Sequence, residues 1–169
     1  MQKLKIPEER LAILIGKRGK VKREIENLTK TKIAVGEDVT IEGECIGILA
    51  CSNIVKAIGR GFAPEKAMDL SDEDYCLCIL SLPEKGKKGK VRVKSRIIGR
   101  DGLARERIEM FTKSHISIYG KTVSIIGKYD DVELAKTAIE KLITGSPHDN
   151  VFHFLEIMIK KRESKKTLI

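Results

Sequence analysis

Residues 14–26 spell LIGKRGKVKREIE and residues 97–109 spell IIGRDGLARERIE, so a thirteen-residue stretch recurs at an offset of 83. The match continues through Thr29-Lys30 against Thr112-Lys113 and, after one inserted residue, through residues 39–43 against 123–127. The 169-residue chain therefore carries one unit twice, each copy of ~70–80 residues, a normal size for a small domain. We predict a first domain over residues 1–72, which includes a linker helix, and a second over residues 73–169, which includes a C-terminal helix.

Apolar spacing predicts the same order of elements in both copies. An amphipathic helix follows each repeated glycine pair, with Val21, Ile25 and Leu28 on one face of the first. Two short strands come next, at residues 32–35 and 39–42 and again at 115–119 and 122–126, joined by turns in which Gly36 and Gly120 supply a positive φ. A long helix ends each copy, over residues 46–58 in the first. A strand opens each copy, at residues 4–6 and at 75–82, and the unbroken apolar run of the latter favours a central strand.

Between the copies, residues 59–62 predict a helix C-cap, and residues 64–70 predict a short helix that a proline starts. After the second copy, an apolar helix face is predicted to pack onto the second unit, and residues 160–166 are expected to form a frayed basic tail. The members of that face are Val151, Phe154, Leu155, Met158 and Ile159.

Each copy places a Gly-x-x-Gly loop between two helices. Glycines allow a sharp turn there and remove the Cβ atoms that would block a close ligand. Backbone amides at the start of the following helix favour a phosphate group. One such loop is also compatible with a plain helix corner, but its recurrence with the same flanks favours a ligand site. The two residues inside the loop that project toward the ligand are Lys17 and Arg18 in the first copy and Arg100 and Asp101 in the second.

Positive charge is concentrated beside both loops. The chain has a formal net charge of +9, with five cations and no acids in residues 17–23 and eight cations and no acids in residues 85–100. Such a surplus indicates a polyanionic partner, either nucleic acid or an anionic membrane surface. Residues 85–90 taken alone are better explained as a solvated surface loop. No run approaches eighteen apolar residues and no signal peptide precedes the first unit, so we expect a soluble, cytoplasmic protein with no membrane partner.

Neither a metal site nor a catalytic arrangement is recognisable. The four cysteines form no CxxC pair and are interpreted as reduced core residues, with Cys76 and Cys78 on one face of a strand. His148 and His153 lack further ligands in register. We therefore expect no metal, no cofactor and no enzymatic activity.

The Ile-Gly-x-x-Gly loop, in the order strand-helix-helix-strand-strand-helix, resembles a eukaryotic-type (type I) KH domain, whereas the bacterial type has one strand after the loop helix. The resemblance implies an α+β fold of two tandem KH domains, each a three-stranded antiparallel sheet packed against three helices. Four further segments resemble the KH-domain small-subunit ribosome-assembly factors of archaea and eukaryotes, the Dim-two or partner-of-Nob family. They are residues 57–62, 96–102, 119–123 and 145–148.

The family resemblance implies single-stranded RNA as the ligand, near the 3′ end of small-subunit ribosomal RNA, with an endonuclease or another assembly factor as protein partner. In eukaryotic relatives the first KH unit has lost its GxxG loop. This chain keeps it, as expected of an archaeal form. A general KH adaptor in RNA decay or processing is the alternative function.

KH domains hold bases over an aliphatic groove, which suits a chain with 4% aromatic residues and no tryptophan. Candidate groove residues, which also suit the core, are Ile15, Val21 and Ile33 and their counterparts Ile98, Ala104 and Ile116. The predicted RNA-binding residues are Ile15, Gly16, Lys17, Arg18, Gly19, Lys20, Lys22, Arg23, Arg96, Ile98, Gly99, Arg100, Asp101, Gly102 and Arg105.

Overall fold

The structure is a computed structural model that describes residues 1–83 and 86–166. The chain divides into two compact units, Met1–Leu77 and Cys78–Ile169. The strand over Tyr75–Ser81 crosses that division and belongs to the second sheet. The predicted domain boundary after residue 72 stays a prediction.

Each unit has the same element order. The first contains β1 (Gln2–Leu4), α1 (Glu8–Ile15), α2 (Lys20–Thr29), β2 (Lys32–Val35), β3 (Val39–Glu42) and α3 (Cys45–Gly59), followed by α4 (Pro64–Ala67) and a 3-10 turn (Met68–Ser71). The second contains β4 (Tyr75–Ser81), α5 (Gly86–Ile98), α6 (Leu103–Thr112), β5 (His115–Tyr119), β6 (Thr122–Lys128), α7 (Tyr129–Ile143) and α8 (His148–Lys166). A 3-10 turn joins the first two helices of each unit, over Lys17–Gly19 and Arg100–Gly102.

Two three-stranded sheets carry these helices, in the orders β1-β3-β2 and β4-β6-β5. The paired hairpin strands are antiparallel, with Ile33 opposite Ile41 and Ile116 opposite Ile125. This confirms the predicted α+β fold of two tandem units.

The repeat extends into the core. In the first unit Leu14, Ile25, Ile41 and Ile58 are fully buried. The aligned residues of the second unit, Ile97, Ile108, Ile125 and Leu142, are fully buried as well. Each such side chain contributes about 1.5–3 kcal/mol to folding. The same inward-facing positions therefore stabilise both copies.

Three sequence-based expectations about strands and turns are wrong. β1 ends at Leu4 instead of spanning residues 4–6, because Leu4 pairs with Val39 and the chain then turns into α1 behind Pro7. β4 is an edge strand, and β6 lies at the centre of the sheet although it contains the fully buried Ser124. Of the two turn glycines only Gly120 has a positive φ, of 56°.

The basic segments of the second unit are helical. The described part of residues 85–90, from Gly86 onward, is the first turn of α5 instead of a loop. Residues 160–166 continue α8 instead of fraying. In α8, Val151 and Leu155 are buried as predicted, and so is Phe152, which the predicted face omits.

Among the cysteines, only Cys51 is a fully buried core residue. Cys76 and Cys78 are half-buried, and Cys45 is exposed at the start of α3, so its predicted place in the core is wrong. None of these four described cysteines forms a disulfide. Burial raises the pKa of the Cys51 and Cys78 thiols, which makes the reactive thiolate form scarcer.

Along the described chain, no helix is long and apolar enough to cross a membrane. Residues 1–83 and 86–166 contain no cluster of three His, Cys, Asp or Glu side chains that could hold a metal ion.

Arginine side chains hold the C-terminal end of the last repeat helix in both units. Arg10 donates from Nε to the Ile58 carbonyl and from Nη2 to the Phe62 carbonyl, both at 2.7 Å. Arg96 donates in the same way to the carbonyls of Leu142, at 3.2 Å, and Ser146, at 2.6 Å. A cation at the negative end of a helix dipole stabilises the helix.

The predicted C-cap over residues 59–62 is confirmed as a Schellman motif. Gly61, with φ 98°, donates its N–H to the Ile58 carbonyl at 3.1 Å, and Phe62 donates to the Ala57 carbonyl at 3.2 Å. The motif turns the chain at the end of α3, and Pro64 then starts α4.

Lys113 caps α6 in the left-handed conformation, with φ 53° and ψ 32°, and its side chain is exposed. We predict that Lys113→Gly stabilises the second unit by about 0.5–1 kcal/mol, because glycine adopts this conformation without a Cβ clash. Lys113→Ala is the matched control, since it removes the same side chain but keeps the strain. Urea unfolding measures both variants. An equal effect of the two would contradict the prediction.

Candidate nucleic-acid interface

The two GxxG loops share one backbone conformation. In the first, Gly16 has φ 70° and ψ 176°, Arg18 has φ 53° and Gly19 has φ 72°. In the second, Gly99 has φ 74° and ψ −176°, Asp101 has φ 53° and Gly102 has φ 82°. Three of the four residues in each loop therefore have a positive φ. This sharp turn brings two helix ends together at an exposed corner.

The two glycines of each loop are required for different reasons. A Cβ at Gly16 would overlap the Val21 side chain, and a Cβ at Gly99 would lie 2.5 Å from Ala104 Cβ. In contrast, a Cβ at Gly19 would meet nothing within 4 Å, and at Gly102 it would only just reach the Glu106 side chain. The first glycine therefore lets α1 or α5 approach the next helix closely, whereas the second keeps open surface in front of the loop.

Most of the predicted cations point into solvent at these corners. Lys17, Arg18, Lys20, Arg23 and Arg100 are exposed. Arg23 also braces its own loop, because its Nη2 donates to the Arg18 carbonyl at 2.7 Å and its Nε to the Gly19 carbonyl at 3.2 Å. The second unit has Glu106 at the position of Arg23 and lacks this brace.

An open groove of about 930 Å³ runs beside the first loop helix, between α2 and the hairpin. Its lining residues are Lys22, Glu26, Asn27, Lys30, Thr31, Lys32, Ile33, Ala34, Thr40, Glu42 and Gly43. The wall combines cations, carboxylates and short apolar side chains. Such a surface can contact both the edges and the faces of bases.

A repeated glutamate fixes the wall of this groove. Glu26 Oε1 accepts the Ile33 backbone N–H at 2.7 Å, and Glu109 Oε1 accepts that of Ile116 at 2.6 Å. Beside these carboxylates lie Lys22, 3.4 Å from Glu26, and Arg105, 3.9 Å from Glu109. The side chains of both cations are partly exposed, and Lys22 lines the groove of the first unit.

Buried hydroxyl pairs tie the loop helices to the hairpins. Thr29 Oγ1 donates to the Ile25 carbonyl at 2.8 Å and lies 2.8 Å from the Thr31 hydroxyl. Thr112 forms the same pair of hydrogen bonds with the Ile108 carbonyl and the Ser114 hydroxyl, at 2.8 Å and 2.7 Å. These bonds hold the short turn between α2 and β2, and the matching turn between α6 and β5.

The predicted groove residues differ in exposure. Ile15 is 36% exposed at its loop, and Ile98 is half-buried. Ile33 and Ile116 are 2% and 4% exposed, so they belong mainly to the core. Val21 and Ala104 pack against the first glycine of their loops.

Arg96 stands apart from the other predicted cations. Its guanidinium is engaged with carbonyls at the end of α7, and its own carbonyl lies 2.7 Å from His148 Nε2. The role of Arg96 as an RNA-binding residue stays a prediction. In the structure its side chain holds the C-terminal end of α7 in place.

Sequence reasoning missed several residues of the corners. Glu26 and Glu109 could have been found, because they align in the repeat at the same offset as the glycines. Arg107, His148 and Phe152, which meet at the second loop, come from helices that the repeat does not connect, so no sequence signal placed them together.

Two matches to family models define the class of the protein. A KH-domain model matches residues 1–57, and a eukaryotic-type (type I) KH-domain model for the second KH domain of PNO1 matches residues 78–160. Together with the two sheets and the two GxxG loops, these matches establish a tandem type I KH-domain protein.

Similar proteins identify the family within that class. A KH domain-containing protein of Methanocaldococcus jannaschii is 38% identical over 162 residues, which cover 90% of this chain and 71% of that protein. The crystal structure of Dim2p from Pyrococcus horikoshii OT3 matches with a TM-score of 0.87 and 45% identity, over 92% of this chain and 97% of that one. A structure of the a/eIF2α–aDim2p–rRNA complex from the same organism matches with a TM-score of 0.88 and 44% identity, over 95% of this chain and 94% of that one. The chain belongs to the Dim2p/PNO1 family of tandem KH-domain proteins.

We predict that Gly99→Ala destabilises the second unit by about 2–5 kcal/mol, because the new Cβ overlaps Ala104 and has to adopt a positive φ. In Gly102→Ala only the positive φ is unfavourable, so the free energy of unfolding should fall by about 1–2 kcal/mol. Each variant is the control for the other, because exchanging glycine for alanine lowers the entropy of the unfolded chain equally at both positions. Equal losses of stability in urea unfolding would show that the close approach of the two helices does not govern the loop.

Proposed function

We propose that the chain binds single-stranded RNA at the 3′ end of small-subunit ribosomal RNA, as a non-catalytic cytoplasmic assembly factor. The observation that carries the proposal is the duplicated corner, a GxxG loop with exposed cations beside a polar and aliphatic groove. The rRNA complex of the similar Pyrococcus horikoshii Dim2p supports the choice of ligand.

Backbone and base would be recognised by different parts of each corner. The open surface at Gly19 and Gly102 lets a phosphate approach the amides that start the next helix. Lys17, Arg18 and Arg100 then neutralise phosphate charge and release counterions. Bases would lie over the groove, where Lys22 or Arg105 and the braced glutamate offer donors and acceptors to base edges. One GxxG groove holds about four nucleotides in single file, which a duplex cannot enter.

Both loops are intact, so we propose that both units bind one RNA strand. Two weak sites on one chain act together, because binding at the first raises the effective concentration at the second to about the millimolar range. Affinity should then rise steeply once an RNA is long enough to reach both grooves. An endonuclease that trims the bound 3′ end is the proposed protein partner.

Substituting both cations of the first GxxG loop tests the proposed contact between this loop and the RNA phosphates. We predict that Lys17→Asp/Arg18→Asp weakens binding of an unpaired rRNA 3′-end fragment by about 1–3 kcal/mol. The slope of log affinity against log salt concentration should become shallower by about 0.7 for each phosphate that the variant no longer neutralises. The fold should persist, since Asp101 already adopts the Arg18 conformation in the second unit.

Fluorescence anisotropy over a range of salt concentrations measures this change in affinity. Lys160→Asp/Lys161→Asp is the charge-matched control, because both cations are exposed near the far end of α8. The same fragment closed into a hairpin should bind the parent protein more weakly than the open strand. Equal weakening in the two double variants, or equal affinity for strand and hairpin, would refute the proposed function.

A further inference from the structure

A second, smaller pocket lies at the loop of the second unit. It measures about 240 Å³, and Gly99 and Arg100 of the loop form one side of it. The other walls are Leu103, Ala104 and Arg107 of α6 and His148 and Phe152 of α8, so the predicted groove residue Ala104 lines this pocket.

This pocket is distinct from the RNA groove proposed above. Arg105 and Glu109 align with Lys22 and Glu26, which line the groove of the first unit, and so mark the corresponding side of α6, whereas the pocket side carries Leu103 and Arg107. Residues two positions apart on an α-helix point about 200° apart, so these two pairs lie on opposite faces. The GxxG loop of the second unit therefore stands between two depressions.

The wall of the pocket is flat and positively charged. The Arg107 guanidinium lies 4.1 Å from the centre of the Phe152 ring. Phe152 is 8% exposed and the Arg107 side chain 45%, so a ligand meets mainly the guanidinium. Glu156, 3.6 Å from Arg107 Nη2, keeps 43% of its side chain exposed and offsets part of this charge.

Apolar and rigid groups complete the pocket. Leu103 is 60% exposed at its mouth. His148 is held in place, because its Nε2 lies 2.7 Å from the Arg96 carbonyl. Pockets for drug-sized ligands measure roughly 300–1,000 Å³, so this one suits a single flat ring system. A guanidinium plane backed by an aromatic ring is a surface on which nucleobases stack.

The first unit offers a contrast on the same side of its loop helix. Lys20 and Glu24 stand there at the positions of Leu103 and Arg107, in a cleft that Met68 of the linker turn lines. The described lining of this cleft contains no aromatic side chain, and its carboxylate would repel a phosphate backbone. Among the described residues of the two units, the flat cationic wall exists only where α8 covers the loop helix.

We propose that this pocket binds one nucleobase of the RNA strand, from a nucleotide that flanks those in the groove of the second unit. The backbone crosses the GxxG loop, and the flanking base turns to the α8 side and stacks on Arg107. The inference rests on the proposed function, because it requires RNA at the loop. It adds a base-recognition site to that function.

An abasic scan combined with pocket variants tests the proposal. The probe is an RNA of about twelve nucleotides with the rRNA 3′-end sequence, three times the length that one groove clamps. A single abasic nucleotide is moved through each position, and affinity is measured by anisotropy. We expect one position outside the groove nucleotides at which removing the base weakens binding about 5- to 100-fold. In Arg107→Ala the same abasic position should have no further effect.

Two more variants separate stacking from charge and from folding. Arg107→Lys keeps the charge but not the plane, so it should lose the base-dependent part of the affinity. Leu103→Asp places an anion at the mouth of the pocket without removing buried side-chain packing, and it should weaken binding while the melting temperature is kept. Lys161→Ala is the control, because it removes a cation from α8 about 20 Å along the helix from His148.

The pocket proposal is overturned if Arg107→Ala weakens the complete and the abasic RNA equally, or if Arg107→Lys and Leu103→Asp bind like the parent protein. These results would leave the proposed function standing, because the parent protein still binds RNA. Failure of the parent protein to bind the complete RNA would instead refute RNA binding itself and the pocket with it.

Discussion

The close approach between the first loop glycine and the helix that follows is the constraint on which both units depend. Gly16 lies against Val21, and Gly99 lies against Ala104, at distances that leave no room for a Cβ atom. With both glycines near φ 70°, the chain reverses within one 3-10 turn and presents its amides at an exposed corner. The exposed cations beside each loop and the pocket of the second unit are arranged around these two turns.

The two units share their buried residues but differ in their exposed ones. The buried aliphatic positions, the hydroxyl pairs and the groove glutamates occur in both units. The exposed positions have diverged, since Arg18 corresponds to Asp101, and Glu24 corresponds to Arg107. Arg10 and Arg96 brace the same helix end from positions one helical turn apart. The shared buried residues fix where an RNA strand would lie on each unit. The exposed residues determine how strongly and how selectively each unit would bind that RNA.

The sequence predicted the features that depend on local pattern and repetition. The recurring glycines, the amphipathic loop helices and the hairpins follow from spacing alone, and a groove lies beside the first predicted loop helix. Features that depend on residues distant in the chain were missed. An apolar run placed β4 at the centre of its sheet, although β6 occupies that position with polar Ser124 buried. The sequence around Arg96 gives no sign that carbonyls 46 and 50 residues away accept its hydrogen bonds. The contact between Arg107 and Phe152 likewise depends on how the helices pack.

The most direct measurement of the central claim is crosslinking of the full chain to RNA in its own cells, followed by sequencing of the crosslinked fragments. We expect reads concentrated at the 3′ terminus of small-subunit ribosomal RNA, with crosslinked peptides from both GxxG loops. Substituting the loop cations should reduce these reads while reads at unrelated RNAs stay unchanged. Reads spread over messenger RNAs, or crosslinks that avoid both loops, would contradict the central claim.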